Sequence, residues 1–329
     1  MSNLESYPPV FRHQKLEETQ IYDPLDEEDS SDPIPVIDLH CMDLHKLGEA
    51  CRDWGLFRLV NHQVPLTLMS QLQEQAKKIF SLSFESKQGL FTSPVSYFWG
   101  TPALTPSGTA LSRGSKYINW VEGFNVLLSQ LSQFQADEDP MRHSFRALLE
   151  EYGRHMGRLA RALFEAMVKN LKLGWETSKS NLSESTGLVR VYRYPSLPKA
   201  TEAIGMEMHT DSSVLSILNA PDKVGGLEFF KDDKWFRVKP IPGTMIVNLG
   251  DMMQAISNDE YMSPNHRVKV KKEVERFSIC YFVFPEKGNV IRSSNYKPFT
   301  YSDFQEQVQS DIKTLGYKVG LRRFRINGD

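Results

Sequence analysis

Two histidines and an aspartate are spaced in this sequence as a metal site requires. His209 and Asp211 flank Thr210, and His266 follows far downstream. If residues 209–211 are extended, side chains alternate across the strand, so His209 and Asp211 share one face and Thr210 points away. With His266 they would form a two-histidine, one-carboxylate triad. Such a triad binds non-haem Fe(II) on one side and leaves coordination positions open for a co-substrate and O2.

A strand that follows His266 adds a second chemical feature. The His-x-Asp pattern alone occurs often by chance, and an isolated strand histidine is usually structural. Residues 276–284, however, are rich in β-branched and aromatic types and predict a strand. Alternation would place Arg276 and Ser278 together on one face, with Cys280, and the apolar side chains 277, 279, 281 and 283 on the other.

Arg276 and Ser278 are suited to binding an anion. A guanidinium on an inner wall is costly to desolvate unless it is paired, and its planar shape matches a carboxylate held by two parallel hydrogen bonds. Ser278 adds a hydroxyl donor beside it. A metal with open positions next to such a group predicts a ligand that is acidic at one end and chelating at the other.

This set of residues resembles the plant 2-oxoglutarate and Fe(II)-dependent dioxygenases. The resemblance extends over residues 35–323 and rests on three motifs: His209-x-Asp211, His266 and Arg276-x-Ser278. It implies an oxidoreductase that uses Fe(II), O2 and 2-oxoglutarate, with ascorbate as a supporting reductant, and that releases succinate and CO2. The implied metal ligands are His209, Asp211 and His266, and the implied ligands of the distal 2-oxoglutarate carboxylate are Arg276, Ser278 and Tyr194.

Four further stretches are most similar to gibberellin 2-oxidases, particularly the group that acts on twenty-carbon gibberellins: residues 97–102, 250–255, 307–311 and 318–321. The implied substrate is a gibberellin-type diterpenoid acid, whose oxidation would inactivate the hormone or alter its activity. Two alternatives stay open. One is the same chemistry on another plant hormone acid or on a phenolic or alkaloid metabolite. The other is a catalytically silent barrel that binds a small molecule.

Three positions near the expected site differ from the pattern of the resembled family. Tyr192 stands where asparagine is usual, Met208 where gibberellin 2-oxidases have proline, and Asn125 where they have histidine. The outcome of oxidation is therefore open between hydroxylation, desaturation and modification of an alkene. The candidate substrate-pocket residues are Tyr192, Trp99, Phe124, Asn125 and Phe284.

The composition is that of a globular protein without a strong charge bias. Its 329 residues are 40% hydrophobic and 24% charged, with a formal net charge of −2. This balance gives no electrostatic reason to expect nucleic acid or an anionic membrane as a partner. No signal sequence or long apolar run is apparent, and three widely spaced cysteines predict neither a disulfide framework nor a zinc cluster. We expect a monomer in the cytoplasm, with the nucleus as a second compartment, that binds a small-molecule acid.

The chain divides into four predicted regions. Residues 1–32 are polar and acidic and predict a flexible arm, and residues 33–180 an N-terminal region of helices and short strands. Residues 181–300 predict the dioxygenase core, and residues 301–329 a C-terminal helix and tail.

The spacing of apolar residues changes between these regions. It is helical within residues 44–54, 66–79 and 141–172, whereas residues 91–128 predict an irregular segment. From residue 187 onward short alternating strands are separated by Gly and Pro turns. The predicted fold class is mainly β or α+β: a double-stranded β-helix, that is, a cupin-like jelly roll, flanked by N-terminal and C-terminal helices.

Overall fold

Two β-sheets that face each other form the centre of the protein, in a computed structural model that describes residues 4–12, 32–90, 95–100, 119–134, 139–196, 202–220, 224–271 and 274–326. In chain order the strands are β1 (Val36–Asp38), β2 (Leu56–Val60), β3 (Val95–Trp99), β4 (Glu122–Leu127), β5 (Ser183–Tyr194), β6 (Glu202–His209), β7 (Leu215–Asn219), β8 (Leu227–Lys231), β9 (Lys234–Arg237), β10 (Met245–Leu249), β11 (His266–Lys271), β12 (Arg276–Phe284), β13 (Val290–Ser293) and β14 (Tyr296–Thr300).

The α-helices are α1 (Pro9–Arg12), α2 (Leu44–Asp53), α3 (Leu66–Phe80), α4 (Phe84–Leu90), α5 (Pro140–Asn170), α6 (Trp175–Ser178), α7 (Asp251–Ile256) and α8 (Tyr301–Thr314). Short 3-10 helices cover Leu4–Ser6, Leu128–Gln133, Lys179–Asn181 and Gly320–Phe324. Within the described ranges, none of these helices combines the length and the apolar character needed to cross a bilayer.

The strand order confirms the predicted jelly roll. The larger sheet runs β1-β2-β10-β7-β12-β5-β4-β3, and the smaller runs β6-β11-β8-β9. Strands that are distant in the chain are neighbours in both sheets, and the pairs are antiparallel apart from β1 with β2. Strands β1 to β4 come from the region before residue 180. That region therefore contributes half of the larger sheet in addition to its helices.

Alternation along β12 separates the two sides of the larger sheet. Arg276, Ser278 and Cys280 line the space between the sheets, as expected from their shared face. The alternate side chains from Phe277 to Val283 are buried in the main apolar core, together with the buried faces of α3 and α5. Helix α5 thus acts as a buttress behind the sheet.

The sequence at the start of α5 explains where this helix begins. Asp139 has an extended backbone, and its carboxylate accepts a hydrogen bond from the backbone N–H of Met141. Pro140 follows in the first turn, where its missing N–H costs nothing. The residues at the boundary themselves therefore determine where α5 begins.

The prediction of an irregular segment over residues 91–128 is wrong where the structure describes it. Strands β3 and β4 pair in register, with Tyr97 opposite Phe124, and β4 continues the larger sheet beyond β5. Residues 91–94 and 101–118 lie outside the described residues.

A buried ion cluster explains why the pattern failed there. The Glu122 carboxylate is fully buried and accepts hydrogen bonds from Lys87 Nζ at 2.5 Å and from Arg193 Nη1 at 2.8 Å. Hydrophobic patterning treats such a glutamate as a surface residue, because burial of a carboxylate becomes acceptable only when distant cations pair with it.

The same cluster corrects the prediction of a flexible arm for residues 4–12. Lys87 Nζ donates to the carbonyl oxygen of Ser6 at 2.7 Å, and Arg193 Nη1 to Ser6 Oγ at 3.2 Å. Tyr7 is buried and packs against Trp99 and Trp120. Contacts with residues that are distant in the chain hold residues 4–12 against the rest of the protein, and the local composition contains no information about such contacts. Residues 1–3 and 13–31 lie outside the described residues.

Replacing Glu122 by glutamine should strongly destabilise the protein, because the fully buried Lys87 then loses its ion-pair partner and Arg193 keeps only the half-exposed Glu275. Breaking a buried ion pair from one side costs about 3–5 kcal/mol, and we expect the free energy of unfolding in urea to fall by that amount. Glu74→Gln, at the exposed pair with Lys77, is the control and should barely move the urea midpoint. Equal midpoints for the two variants would contradict this role of Glu122.

Candidate active site

The pairing of β6 with β11 brings the two candidate histidines together. His209, the last residue of β6, is the register partner of His266, the first residue of β11. Their ring centroids lie 4.2 Å apart. The register shifts between this pair and the next, Val268 with Met206, and such irregularities often re-aim side chains beside functional sites.

Asp211 completes a cluster of three possible metal ligands. It lies in the turn after β6, where its Oδ1 is 3.9 Å from His209 Nε2 and 3.7 Å from His266 Nε2. One ligand atom from each residue lies within 4.8 Å of the others. One metal ion can therefore contact all three.

Hydrogen bonds orient both imidazole rings toward the centre. His209 Nδ1 lies 2.7 Å from the carbonyl oxygen of Glu207, and His266 Nδ1 lies 3.2 Å from that of Pro264. A carbonyl can only accept, so Nδ1 carries the proton and the Nε2 lone pair is free for a metal. Burial and the charge of His266 lower the pKa of His209 to about 3, which keeps this ring neutral near pH 7.

Two inner-wall side chains hold the Asp211 carboxylate. Asp211 Oδ2 accepts hydrogen bonds from Ser216 Oγ and Asn248 Nδ2, both at 2.7 Å, which leaves Oδ1 for the metal. Burial opposes ionisation, yet the two histidines and these hydrogen bonds hold the pKa of Asp211 below its ordinary value. The sequence reading missed Ser216 and Asn248. The alternation of β7 and β10 could have placed them on the inner face, but not beside Asp211.

The donor set fits a ferrous ion. Two neutral imidazoles and one carboxylate on one side of an ion are the facial arrangement of non-haem Fe(II) oxygenases. The carbonyl and amide groups behind them are the outer partners that usually fix such ligands. The residues of this chain thus agree with the metal implied by the sequence.

A cavity extends from the three ligands between the sheets. Its empty volume, which includes space open to solvent, is about 610 Å³. Tyr192, Tyr194, Arg276, Ser278 and Cys280 line it together with the triad. Much of the remaining wall is apolar and includes Leu56, Leu218, Leu227, Phe229, Ile246 and Phe282.

Arg276 is a buried cation prepared for an anion. It is 3% exposed, its Nη1 donates to Ser278 Oγ at 3.2 Å, and its guanidinium lies 5.0 Å from the Tyr194 ring. Its buried Nε has no hydrogen-bond partner among the described residues. Burial raises the pKa of Tyr194 to about 12, so the phenol stays protonated. A carboxylate here would satisfy the unused donor of Arg276.

The predicted substrate-pocket residues separate into two groups. Tyr192 lines the cavity. Phe124 does not, and that prediction is wrong: its ring stacks on Phe80 at 4.9 Å in the main core. Since Phe124 is the register partner of Val191 rather than Tyr192, alternation turns it to the helical side of the sheet.

The other three pocket residues also lie outside the cavity lining. Asn125 Nδ2 lies 3.4 Å from Ser96 Oγ. Trp99 packs against residues of the N-terminal segment, and the Phe284 ring stacks on Tyr301 at 4.5 Å. A sequence pattern shows which residues are aromatic but not which cluster each of them joins.

Arg190 is a further inner-face residue that the sequence reading missed. On β5 it is the register partner of Cys280, which lines the cavity. Its guanidinium lies 5.1 Å from the Phe282 ring, and its buried Nε has no hydrogen-bond partner among the described residues. The strand period could have predicted this orientation, because Arg190 is two residues from Tyr192.

Two family profiles match the chain. The 2OG-Fe(II) oxygenase superfamily matches residues 185–285, and the N-terminal domain described for the non-haem dioxygenase in morphine synthesis matches residues 34–145.

Curated plant proteins match most of the chain. Gibberellin 2-beta-dioxygenase 8 of Arabidopsis thaliana is 34% identical over 84% of this chain and 80% of its own length. Protein DMR6-LIKE OXYGENASE 1 of the same plant is 35% identical over 80% and 76%. Flavanone 3-dioxygenase 2 of Oryza sativa subsp. japonica is 31% identical over 89% and 87%.

Solved structures share the fold. JOX2 in complex with 2OG, Fe and JA superposes with a TM-score of 0.69 at 28% identity, over 85% of this chain and 87% of JOX2. The rice dioxygenase for auxin oxidation has a TM-score of 0.72 at 24% identity, over 89% and 99%.

These matches confirm the predicted enzyme class and cofactors, and they leave no support for a catalytically silent barrel. The chain belongs to the 2OG-Fe(II) oxygenase superfamily and is a dioxygenase that depends on Fe(II) and 2-oxoglutarate.

Proposed function

We propose that this dioxygenase oxidises a gibberellin-type diterpenoid acid, with His209, Asp211 and His266 as its iron ligands. The observation that carries the proposal is that one cavity is lined by these three side chains and by the buried Arg276. Metal and anion sites on one wall suit a co-substrate that chelates at one end and is acidic at the other.

Each ligand contributes the atom that has no other partner. His209 Nε2, His266 Nε2 and Asp211 Oδ1 face the metal, because each Nδ1 and Oδ2 is already hydrogen-bonded. When bound, the iron and O2 supply the oxidation, in which 2-oxoglutarate becomes succinate and CO2 as a substrate carbon is oxidised. The chain orients the reactants, and the apolar wall excludes water.

Arg276, Ser278 and Tyr194 hold the distal carboxylate of 2-oxoglutarate. The unused Nε of Arg276 and the protonated Tyr194 hydroxyl are donors on the cavity wall. Tyr192, which replaces the usual asparagine, borders the same space. Its ring would leave less room beside the co-substrate than an asparagine side chain would.

Two features support an apolar acid as the substrate. The apolar wall matches a hydrocarbon skeleton. Arg190 lies on the same face of β5 as the cavity-lining Tyr192, although Arg190 is not itself among the residues that line the cavity, and its Nε has no hydrogen-bond partner among the described residues. A substrate carboxylate would pair with Arg190 while Arg276 holds the co-substrate. The gibberellin dioxygenases among the relatives support the same substrate class.

A second candidate keeps the chemistry but changes the substrate to another plant hormone acid or a phenolic metabolite. Arg190 suits any small acid, and the relatives include a flavanone dioxygenase and an oxygenase crystallised with JA.

One assay separates the two candidates. Purified protein is incubated with Fe(II), ascorbate and carboxyl-labelled 2-oxoglutarate, and with either twenty-carbon or nineteen-carbon gibberellins, jasmonic acid, indole-3-acetic acid or a flavanone. We expect substrate-dependent release of labelled CO2. We also expect a gibberellin product that is about 16 mass units heavier after hydroxylation or about 2 mass units lighter after desaturation. Release with a phenolic or another acid alone would reject the gibberellin proposal.

Arg276→Leu should raise the KM for 2-oxoglutarate by about 30-fold or more, because losing one side of a buried charge pair costs ~2–5 kcal/mol. Metal affinity should stay near that of the wild type, since Arg276 is not a candidate ligand. Arg237→Leu, at a half-exposed arginine of β9, is the control. An unchanged KM in Arg276→Leu would place the anion site elsewhere.

Arg190→Leu should raise the KM for the acid substrate by about tenfold or more, with little change in the KM for 2-oxoglutarate. The methyl ester of the same substrate has no carboxylate, so its KM should be equal in the wild type and the variant. Arg158→Leu, on the exposed side of α5, is the matched control. Equal losses for acid and ester would show that Arg190 does not bind the carboxylate.

Asn248→Leu should weaken metal binding by about 10–100-fold, the usual effect of removing an outer partner of a ligand. Co(II) titration followed by visible absorption measures the dissociation constant. Asn219→Leu is the control, because Asn219 on β7 pairs in register with Ile279 on the other side of the sheet. Wild-type affinity in Asn248→Leu would mean that Ser216 holds Asp211 alone.

A further inference from the structure

Lys318, in the tail after α8, reaches the turn that carries Asp211. Its Nζ donates to the carbonyl oxygen of Thr210 at 2.8 Å and lies 3.1 Å from Thr210 Oγ1 and 3.0 Å from Ser212 Oγ. It also forms an ion pair with Asp251 Oδ2 at 2.6 Å. The Lys318 side chain is only 16% exposed. A nearly buried ammonium thus contacts the residues on both sides of Asp211.

The other side of this turn is held by the start of α7. The backbone N–H of Asp251 donates to the carbonyl oxygen of Asp211 at 2.8 Å, and that of Met252 to the carbonyl oxygen of Ser213 at 3.1 Å. Asp251 therefore has two contacts: its backbone N–H binds the turn, and its carboxylate binds Lys318. The tail, the helix start and the turn form one hydrogen-bonded unit.

The tail itself is anchored away from the metal centre. The 3-10 helix Gly320–Phe324 follows Lys318, and Arg323 Nε donates to the buried Asp311 of α8 at 3.1 Å. Gly320 has φ +73°, and a Cβ there would stand 3.5 Å from Lys318 Cε. A side chain at Gly320 would therefore strain the backbone, although its Cβ would be only in ordinary contact with Lys318.

The turn needs such support because it lies outside the sheet. Strand β6 ends at His209, so the position of Asp211 relative to the histidine pair depends on side-chain and cap contacts. Without them the turn would populate more conformations, and metal binding would have to order it, at a cost in affinity.

We propose that Lys318 is a positioning residue of the metal centre: acting through Thr210 and Asp251, it holds the Asp211 turn at the spacing required by the ion. This inference rests on the proposed iron ligands His209, Asp211 and His266. It gives a role to the stretch of residues 318–321, which the dioxygenase chemistry itself does not use.

The experiment compares metal affinity with folding. Lys318→Met keeps the aliphatic stem and removes the ammonium. Co(II) is titrated into the full-length apoprotein at a temperature at which circular dichroism shows both proteins to be folded, and the melting temperature of each apoprotein is measured separately. We expect the Co(II) dissociation constant to rise by about 10–100-fold. Lys313→Met, at an exposed lysine of α8, should bind Co(II) like the wild type.

A second variant guards against misfolding of the first. Asp251→Asn removes the charge partner of Lys318 but keeps the backbone N–H that holds Asp211, and it should weaken Co(II) binding in the same direction. The double variant should bind no more weakly than the weaker single variant, because the two residues act as one unit.

The outcomes separate the inference from the proposed function. A lower melting temperature with Co(II) affinity within twofold of the wild type, in Lys318→Met or in Asp251→Asn if the former does not fold, would show a merely structural role and overturn the inference. Failure of the wild type to bind Co(II) would instead reject the proposed ligands.

Discussion

The antiparallel register of β6 against β11 is the constraint on which the site depends. It places His209 opposite His266 although the two residues are far apart in the sequence. A slip of one residue would turn one of the two imidazoles to the outside, because strand side chains alternate. A register shift in the same strand pair follows directly after the two histidines. The turn that carries Asp211 lies beside them and is hydrogen-bonded to the start of α7.

Buried charge is handled in two different ways in this protein. Glu122 is matched by Lys87 and Arg193, so this cluster is complete and joins the N-terminal segment to the sheet. Arg276 and Arg190, by contrast, each keep a buried Nε without a partner among the described residues. A buried donor without a partner is costly, and both lie on the inner face of the larger sheet. The complete cluster stabilises the fold, whereas the incomplete ones suit ligands.

The parts of the fold predicted from sequence are those with a local period. The long helix α5, the faces of β12 and the shared face of Arg276 and Ser278 follow from spacing alone. The errors have a common cause. Strands β3 and β4 contain the buried Glu122, and the N-terminal segment docks through Ser6. In both cases a distant cation makes burial favourable, and hydrophobic patterning contains no information about such partners.

The sequence by itself determined the class of chemistry, because few kinds of protein site combine a His-x-Asp motif, a later histidine and an Arg-x-Ser motif. The change from helical to alternating spacing also predicted a closed or double-sheet β architecture such as a jelly roll. The tertiary structure alone decided that Ser216 and Asn248 hold Asp211, that Phe124 belongs to the core, and that Lys318 reaches the metal turn. Spacing fixes the face on which a side chain lies, but contacts between distant segments depend on how the sheets and the tail pack.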